Sequence, residues 1–238
     1  MIRLLVKDIN WQAAVHVLSP QQIRYCIQVH RLQSGSSITV SDGCGHSAQC
    51  LLEQNEGQWR LKRLSELHHE NNIAPITVFF GVPKGDKLDR VVRQLSELGI
   101  SELVLVKMER NVVVLDGSRR DKRLERLRRV ATEAARQSER SSLLTITGPI
   151  SFQDAIDMAQ QQNRVFFCQP GAKTLIPTMA TDTACAVFVG PEGGLSVTEN
   201  QSLEAAGFLG INLGQTILRT ETAAVVAATT VLCRLQRF

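Results

Sequence analysis

The chain has 238 residues, with 27 Lys/Arg against 23 Asp/Glu and a formal net charge of +4. Hydrophobic residues make up 43% and charged residues 21%, which suits a folded globular protein and excludes a disordered one. No apolar run approaches the roughly 18 residues of a membrane span, and the opening MIRLLVKDINWQ lacks a secretory apolar core, so a cytoplasmic location is expected.

IRLLV reads as a short strand. SPQQIRYCIQVHRL reads as a helix with Ser19 as N-cap and Pro20 at its first position. SITVSDG and the stretch from His46 to Leu67 read as strands broken at Asp42-Gly43 and Asn55-Glu56-Gly57. HHENNIAP (68–75) is polar, ends in proline and reads as a linker, with His68-His69 in a solvated connection. The division is therefore 1–72, a small β-rich domain, and 73–238.

After Pro75 strands and helices alternate. ITVFFGV is a buried-type strand. DKLDRVVRQLSELG follows with Leu88, Val91, Val92, Leu95 and Leu98 at helical spacing and Gly99 as its stop. SELVLVKM is a strand, and RDKRLERLRRVATEAARQSER a long helix whose Leu124, Leu127, Ala131 and Ala134 share a face. A helix capped by Ser151, the strands RVFFCQP and ACAVFVG, a helix with a Ser196–Glu199 capping box, the strand FLGINLG and a helix over 219–235 complete the chain. The pattern predicts an α/β domain with a largely parallel sheet covered on both faces.

Six scattered cysteines (26, 44, 50, 168, 185 and 233) form no C-x-x-C pair; neither a metal site nor a disulfide framework is expected. Residues 117–140 hold nine basic against four acidic residues, a stripe that can collect a polyanion or form a solvated helix face.

Ligands of parallel sheets bind beyond the strands' carboxyl ends, which singles out the loops CQPGAK, GPEGGLS and GQTILRTET. GPEGGLS is neither a dinucleotide fingerprint nor a Walker loop. Pro191 removes a donor and Glu192 adds negative charge, which favours a neutral or cationic ligand over a phosphate. The backbone around Ile217-Leu218 could read the edge of a flat heterocycle. The helix Ala223–Thr230 has no polar face and should be buried. Arg219 and Glu221 at its start must be paired with each other or face a ligand cavity.

GPEGGLSVTE followed by LGQTILRTETAA resembles the paired signature of the SPOUT methyltransferases. With KGDKLDRVVRQLSELGI (84–100) and ATEAARQSER (131–140), the chain resembles more narrowly the bacterial family that methylates N3 of a uridine in small-subunit (16S) ribosomal RNA. The resemblance implies a C-terminal domain with a deep trefoil knot over 73–238, a PUA-like RNA-binding β-barrel over 1–72, a homodimer, and S-adenosyl-L-methionine as cofactor. Carried onto this sequence, the cofactor would be held by Phe167, Gln169 and Pro170, by Val189, Gly190, Glu192, Gly193 and Gly194, and by Leu213, Gly214, Ile217, Leu218, Thr220 and Ala223. The family's usual Lys before ELG is Gln94 here, its usual Arg in the last loop is Thr216, its usual Pro after the QSxR stretch is absent within SSLL, and its N-terminal His position falls on Tyr25.

In the reaction so implied, Arg219 would stabilise the uridinate. Glu221 would orient Arg219 or take the N3 proton, and Glu192 could take it instead. RNA capture would fall to Arg119, Arg120, Lys122, Arg123, Arg126, Arg128 and Arg129, with Lys84, Lys87, Arg136 and Arg140. The rival readings keep the fold but methylate another rRNA or tRNA position, including ribose 2′-OH, or bind RNA without catalysis as an assembly factor.

Overall fold

The computed structural model describes residues 2–70, 74–111, 117–173 and 176–237. The chain divides into two units: Met1–Asn72 with Ala135–Leu143, and Ile73–Ala134 with Leu144–Phe238.

The first unit is a mixed six-stranded sheet. Its strands are β1 (Arg3–Leu5), β2 (Val15–Val17), β3 (Ser37–Ser41), β4 (His46–Asn55), β5 (Gln58–Arg63) and β6 (His68–His69), in the order β1-β3-β4-β5-β2 with β6 beside β4. Alternation sends Leu4, Ile38, Val40, Cys50, Leu52 and Leu61 into one apolar cluster with Leu18 and Cys26. The helix foreseen from Ser19 is shorter than its sequence pattern. Ser19 and Gln22 form a capping box for α1 (Pro20–Ile23), after which the backbone widens into a π-helical segment, Arg24–Val29. The three-residue edge strand β2 is too short to announce itself by alternation.

The expected linker is a correction. His68 and His69 pair with Ser47 and His46 on β4. Glu70 accepts from the Ser142 amide at 2.8 Å and the Ser141 hydroxyl at 3.1 Å and meets Arg140 at 3.0 Å. The polar run is thus polar because it is bonded to 135–143, a segment distant in sequence. Residues 71–73 of that reading lie outside the described residues.

The second unit holds β7 (Ile76–Gly81), α2 (Lys87–Leu98), β8 (Glu102–Val106), α3 (Gly117–Gln137, whose last residues count with the first unit), β9 (Thr145–Ile150) and α4 (Phe152–Ala159). There follow β10 (Arg164–Cys168), β11 (Cys185–Val189), α5 (Val197–Ala205), β12 (Leu209–Ile211) and α6 (Thr220–Arg234). The sheet runs β12-β10-β11-β7-β8-β9 with every neighbouring pair parallel. β9 escaped the sequence pattern because Gly148-Pro149 interrupts its apolar run.

Alternate residues of the central strands enter opposite cores. Val78, Phe80, Val187 and Val189 pack under α2, α3 and α6, while Phe79, Phe188 and Phe167 pack with α4 and Leu203 of α5. That is why these strands are apolar throughout. Leu124, Leu127, Ala131 and Ala134 are buried on one face of α3 as their spacing requires. α6 departs from expectation. Ala224, Ala227, Ala228, Val231 and Leu232 are buried, but Val225, Val226, Thr229 and Thr230 on the other side are only half-buried.

Burial alone would raise the Glu70 pKa, but the Ser142, Arg140 and Ser141 contacts outweigh it and hold the carboxyl below its ordinary value. A depressed folded pKa gives stability that is complete above the unfolded value of about 4.3 and is lost as pH falls through the folded one. Acid titration monitored by the first unit's Trp11 and Trp59 should therefore show an acid limb. Glu70→Gln should flatten it and cost about 1 kcal/mol at neutral pH.

Candidate functional site

The loops after β10, β11 and β12 meet around one cavity of about 800 Å³. It opens beyond the carboxyl ends of those strands, beside the point where the strand order reverses about β7. The loops are held by close backbone approach. Gly81 ends β7 directly beneath Pro191: a Cβ there would lie 2.6 Å from the proline Cδ and 2.9 Å from the Met108 sulfur. At Gly190 a Cβ would meet the Leu195 nitrogen at 2.7 Å and the Gly194 carbonyl carbon at 2.8 Å. Gly194, with φ +70°, turns the chain into α5. Across the cavity floor the buried Thr220 hydroxyl donates to the Gly190 carbonyl at 2.6 Å, tying the last loop to the glycine-rich one.

The end of α5 is anchored by a buried carboxylate. Glu199 accepts from the Ser196 amide at 2.8 Å and, with its other oxygen, from the Glu109 amide at 2.8 Å. The capping box foreseen in the sequence is thus also a strut to the loop after β8. That loop brings Arg110 to the cavity, where its guanidinium donates to the Gly193 carbonyl at 2.8 Å.

Of the expected cofactor residues, Gln169, Pro170, Val189, Gly190, Glu192, Gly193, Gly194, Leu213, Gly214, Ile217, Leu218, Thr220 and Ala223 all line the cavity. Phe167 does not: strand alternation sends its ring into the opposite core, and the next residue, Cys168, lines the cavity instead. Arg219 stands at the mouth as the N-cap residue of α6. Glu221 does not line the cavity, because Thr220 and Ala223, three apart on the helix, occupy that face. One Glu221 oxygen is buried without a hydrogen-bond partner. Among the described residues Arg219 makes no ion pair, so the alternative of an Arg219–Glu221 pair does not hold.

Glu192 is engaged. Its Oε1 accepts from Lys87 Nζ at 2.9 Å and from the Lys84 amide at 3.0 Å. Burial would raise its pKa, yet the Lys87 and Lys84 hydrogen bonds prevail and lower it. A carboxylate so held is a weak proton acceptor. Burial pushes the Cys168 thiol up to about 12, so it borders the cavity as a neutral group. Sequence reading missed Arg110, Cys168 and Asn200. Cys168 opens the singled-out CQPGAK loop and Asn200 lies one turn into the helix after GPEGGLS, whereas Arg110 has no local mark, because only the strand order brings the β8 loop beside the β11 loop.

The basic stripe divides. The buried Asp89 carboxylate of α2 is clamped by Arg123 at 3.2 Å and Arg126 at 2.6 Å. Arg128 donates to the Ile146 carbonyl, and Arg129 approaches Glu125 at 3.8 Å. In the first unit, Arg136 lies over the Tyr25 ring at 4.6 Å and Arg140 meets Glu70. Arg119, Arg120, Lys122 and Lys84 are exposed, with Arg120 paired to its neighbour Asp121 at 3.0 Å.

The parallel sheet and the three loops that close the cavity fall within residues 69–232, which match a family model described as an RNA methyltransferase domain. A ribosomal RNA small subunit methyltransferase E from Mycobacterium bovis is 31% identical over 221 residues, covering 90% of this chain and 84% of that protein. The Bacillus subtilis protein of the same name is 28% identical, covering 94% and 91%. A crystal structure of ribosomal RNA small subunit methyltransferase E from Neisseria gonorrhoeae, bound to S-adenosyl methionine, superposes with a TM-score of 0.86 at 28% identity, covering 98% of this chain and 97% of that one. The chain belongs to the ribosomal RNA small subunit methyltransferase E family.

Thr220→Val should isolate the effect of the tie between the loops. It keeps the side-chain shape and leaves the buried Gly190 carbonyl without its donor. Urea unfolding should show a loss of about 1–3 kcal/mol, with the slope against denaturant unchanged.

Proposed function

We propose that the protein transfers a methyl group from S-adenosyl-L-methionine to N3 of a uridine in small-subunit (16S) ribosomal RNA. The observation that carries this reading is the cavity built by the three loops, lined by an arginine with no ion pair among the described residues, in a chain of this family. The cavity fits the cofactor. Its volume lies in the roughly 300–1,000 Å³ range of small-ligand sites. Val189, Leu213, Ile217, Leu218 and Ala223 offer apolar surface to a flat ring, and the glycine backbones at 190 and 193–194 admit close approach.

When bound, the cofactor supplies a methyl group already activated by the sulfonium charge. The protein's part is to align the acceptor nitrogen with the S–CH₃ bond, a contribution worth roughly 7–11 kcal/mol when the geometry is right. Arg219, free of any counter-ion among the described residues, sits where it can donate to a uracil carbonyl oxygen and stabilise the charge left as the N3 proton departs. Glu192 is spent on Lys87 and the Lys84 amide, and Glu221 lies off the cavity wall. The reading therefore places the proton on solvent or a substrate-side group rather than on either carboxylate.

The same reading includes a trefoil knot in the second unit, a PUA-like first unit, a cytoplasmic location and a homodimer. Thr220 and Gly81 support the knot only as points of crowded backbone. The half-buried Val225–Val226 and Thr229–Thr230 side of α6 supports a partner copy packed on it. Arg119 and Lys122 are the basic residues best placed to meet RNA phosphates, since they are exposed and make no ion pair among the described residues, with Arg120 beside them held to Asp121.

Incubating the protein and labelled cofactor with 30S particles and with naked 16S RNA, then mapping the methylated nucleoside by mass, tests the reading: a product other than N3-methyluridine, or none, overturns it. Arg219→Ala should lower the single-turnover rate about 10²–10³-fold while calorimetry finds cofactor affinity unchanged within about threefold. Replacing Arg119 and Lys122 together with glutamine should reduce the slope of log affinity for RNA against log salt by about 2.

A further inference from the structure

A second cavity, of about 420 Å³, lies wholly in the first unit. Its floor is a row across three strands. Arg3 of β1 stands in register with Thr39 of β3, and Thr39 with Gln49 of β4. Facing residues of neighbouring strands project to the same side, and all three line the cavity with Ser47, His68 and Glu139. Gln49 is fixed there: its Nε2 donates to the Thr39 hydroxyl at 2.9 Å and its backbone amide donates to Ser65 Oγ at 3.0 Å.

Arg3 is the anomaly. Its side chain is partly buried, and its Nη1 is buried with no hydrogen-bond partner. Among the described residues its guanidinium makes no ion pair, whereas Glu70, the carboxylate committed nearby, is satisfied by Arg140, Ser141 and Ser142. Burial lowers the Arg3 pKa, and the more distant Glu139 and Glu70 act only against that shift. A half-buried cation without a hydrogen-bond acceptor among the described residues costs stability, and the Glu139 and Glu70 charges offset that only in part. Glu139 adds a second oddity. It holds φ at 57°, a left-handed conformation that a residue with a Cβ seldom adopts, and it brings an exposed carboxylate to the cavity rim.

We propose that this cavity binds one unstacked nucleotide of the RNA substrate, its phosphate on the Arg3 guanidinium and its nucleoside against the polar floor. The inference rests on the reading that the substrate is RNA. A free phosphate would fill only part of the space and would meet Glu139 unfavourably. A nucleotide uses both: guanidinium donors suit phosphate oxygens, and a rim carboxylate can accept from a ribose 2′-hydroxyl, the group that separates RNA from DNA. A concave pocket of this size admits a nucleotide from a single strand or a bulge and excludes a continuous duplex.

The test uses the full chain. A short single-stranded RNA, the DNA of the same sequence, the RNA duplex and inorganic phosphate are titrated into wild type, Arg3→Gln and Glu139→Gln. Anisotropy reads binding, and calorimetry with S-adenosylmethionine serves as the control for an intact second unit. Arg3→Gln should weaken single-stranded RNA about tenfold, raise KM for the RNA substrate and leave kcat and cofactor binding unchanged. Glu139→Gln should shrink the preference for RNA over DNA. Unchanged RNA binding in Arg3→Gln, or inorganic phosphate competing as well as the RNA, overturns the proposal. Should Arg3→Gln fail to fold, the Arg3 Nε–Hε resonance of the wild type decides: a shift on adding single-stranded RNA supports the site, and none rejects it. If wild type methylates no ribosomal RNA the functional reading falls, while the resonance titration still reports on the cavity by itself.

Discussion

The second unit depends on three backbone segments lying closer together than side chains would allow. The tie is the buried hydrogen bond from Thr220 to the Gly190 carbonyl, and the condition for it is glycine at 81 and 190, where a Cβ would overlap Pro191 or the Leu195 amide. Everything the cavity presents follows from that crowding. With the turns pressed together, the glycine backbones at 190, 193 and 194 form part of the wall, and Val189 at the end of β11 and Leu213 in the loop after β12 add apolar lining. A residue larger than glycine at either point would push the loops apart before it altered any ligand contact.

The small residues of α6 express the same constraint on the other side of the tie. Ala224, Ala227 and Ala228 are fully buried against the sheet and α2, so the helix axis can approach the strands closely, and Thr220 at its first turn reaches Gly190. A leucine at any of these positions would lift the helix and withdraw the hydroxyl. The helix lacks a polar face because one side must lie near the sheet, yet its other side is only half-covered by this chain. Composition alone could not separate those two sides, since Ala, Val and Thr occupy both.

Legibility in the sequence followed the range of the interactions. The N-cap at Ser19, the capping box at Ser196, the stop at Gly99 and the buried face of α3 are set by neighbours within a few residues, and they stand as read. The cavity residues were legible because loops at strand ends carry unusual glycine and because the paired signature is specific. Phe167 was misplaced by one residue, the usual cost of a period-two element. Glu221 was misplaced because residues one or two apart at a helix start, as it is from Thr220 and Arg219, do not share a face. The region from His68 to Glu70 looked like a linker because its partners, Ser141 and Ser142, lie some seventy residues away. Arg110 reaches the cavity only through the strand order, which no local pattern encodes.

Charge counting was the weakest guide, and the arginines show why. The segment from 117 to 140 is rich in positive charge, but Arg123 and Arg126 neutralise the buried Asp89, Arg140 neutralises Glu70, and Arg136 rests on an aromatic ring. Arg110 and Arg237, outside the stripe, spend their donors on backbone carbonyls. These side chains serve the fold, and removing Arg123 or Arg126 would weaken the clamp on the buried Asp89. Arg219 and Arg3 are of another kind. Each lines a cavity and neither has a counter-ion among the described residues. An arginine kept at the wall of a cavity without a protein acceptor retains its full capacity to bind an anion or a developing negative charge. The number of positive residues in a segment therefore says less about nucleic-acid chemistry than which guanidinium groups the fold has left unsatisfied.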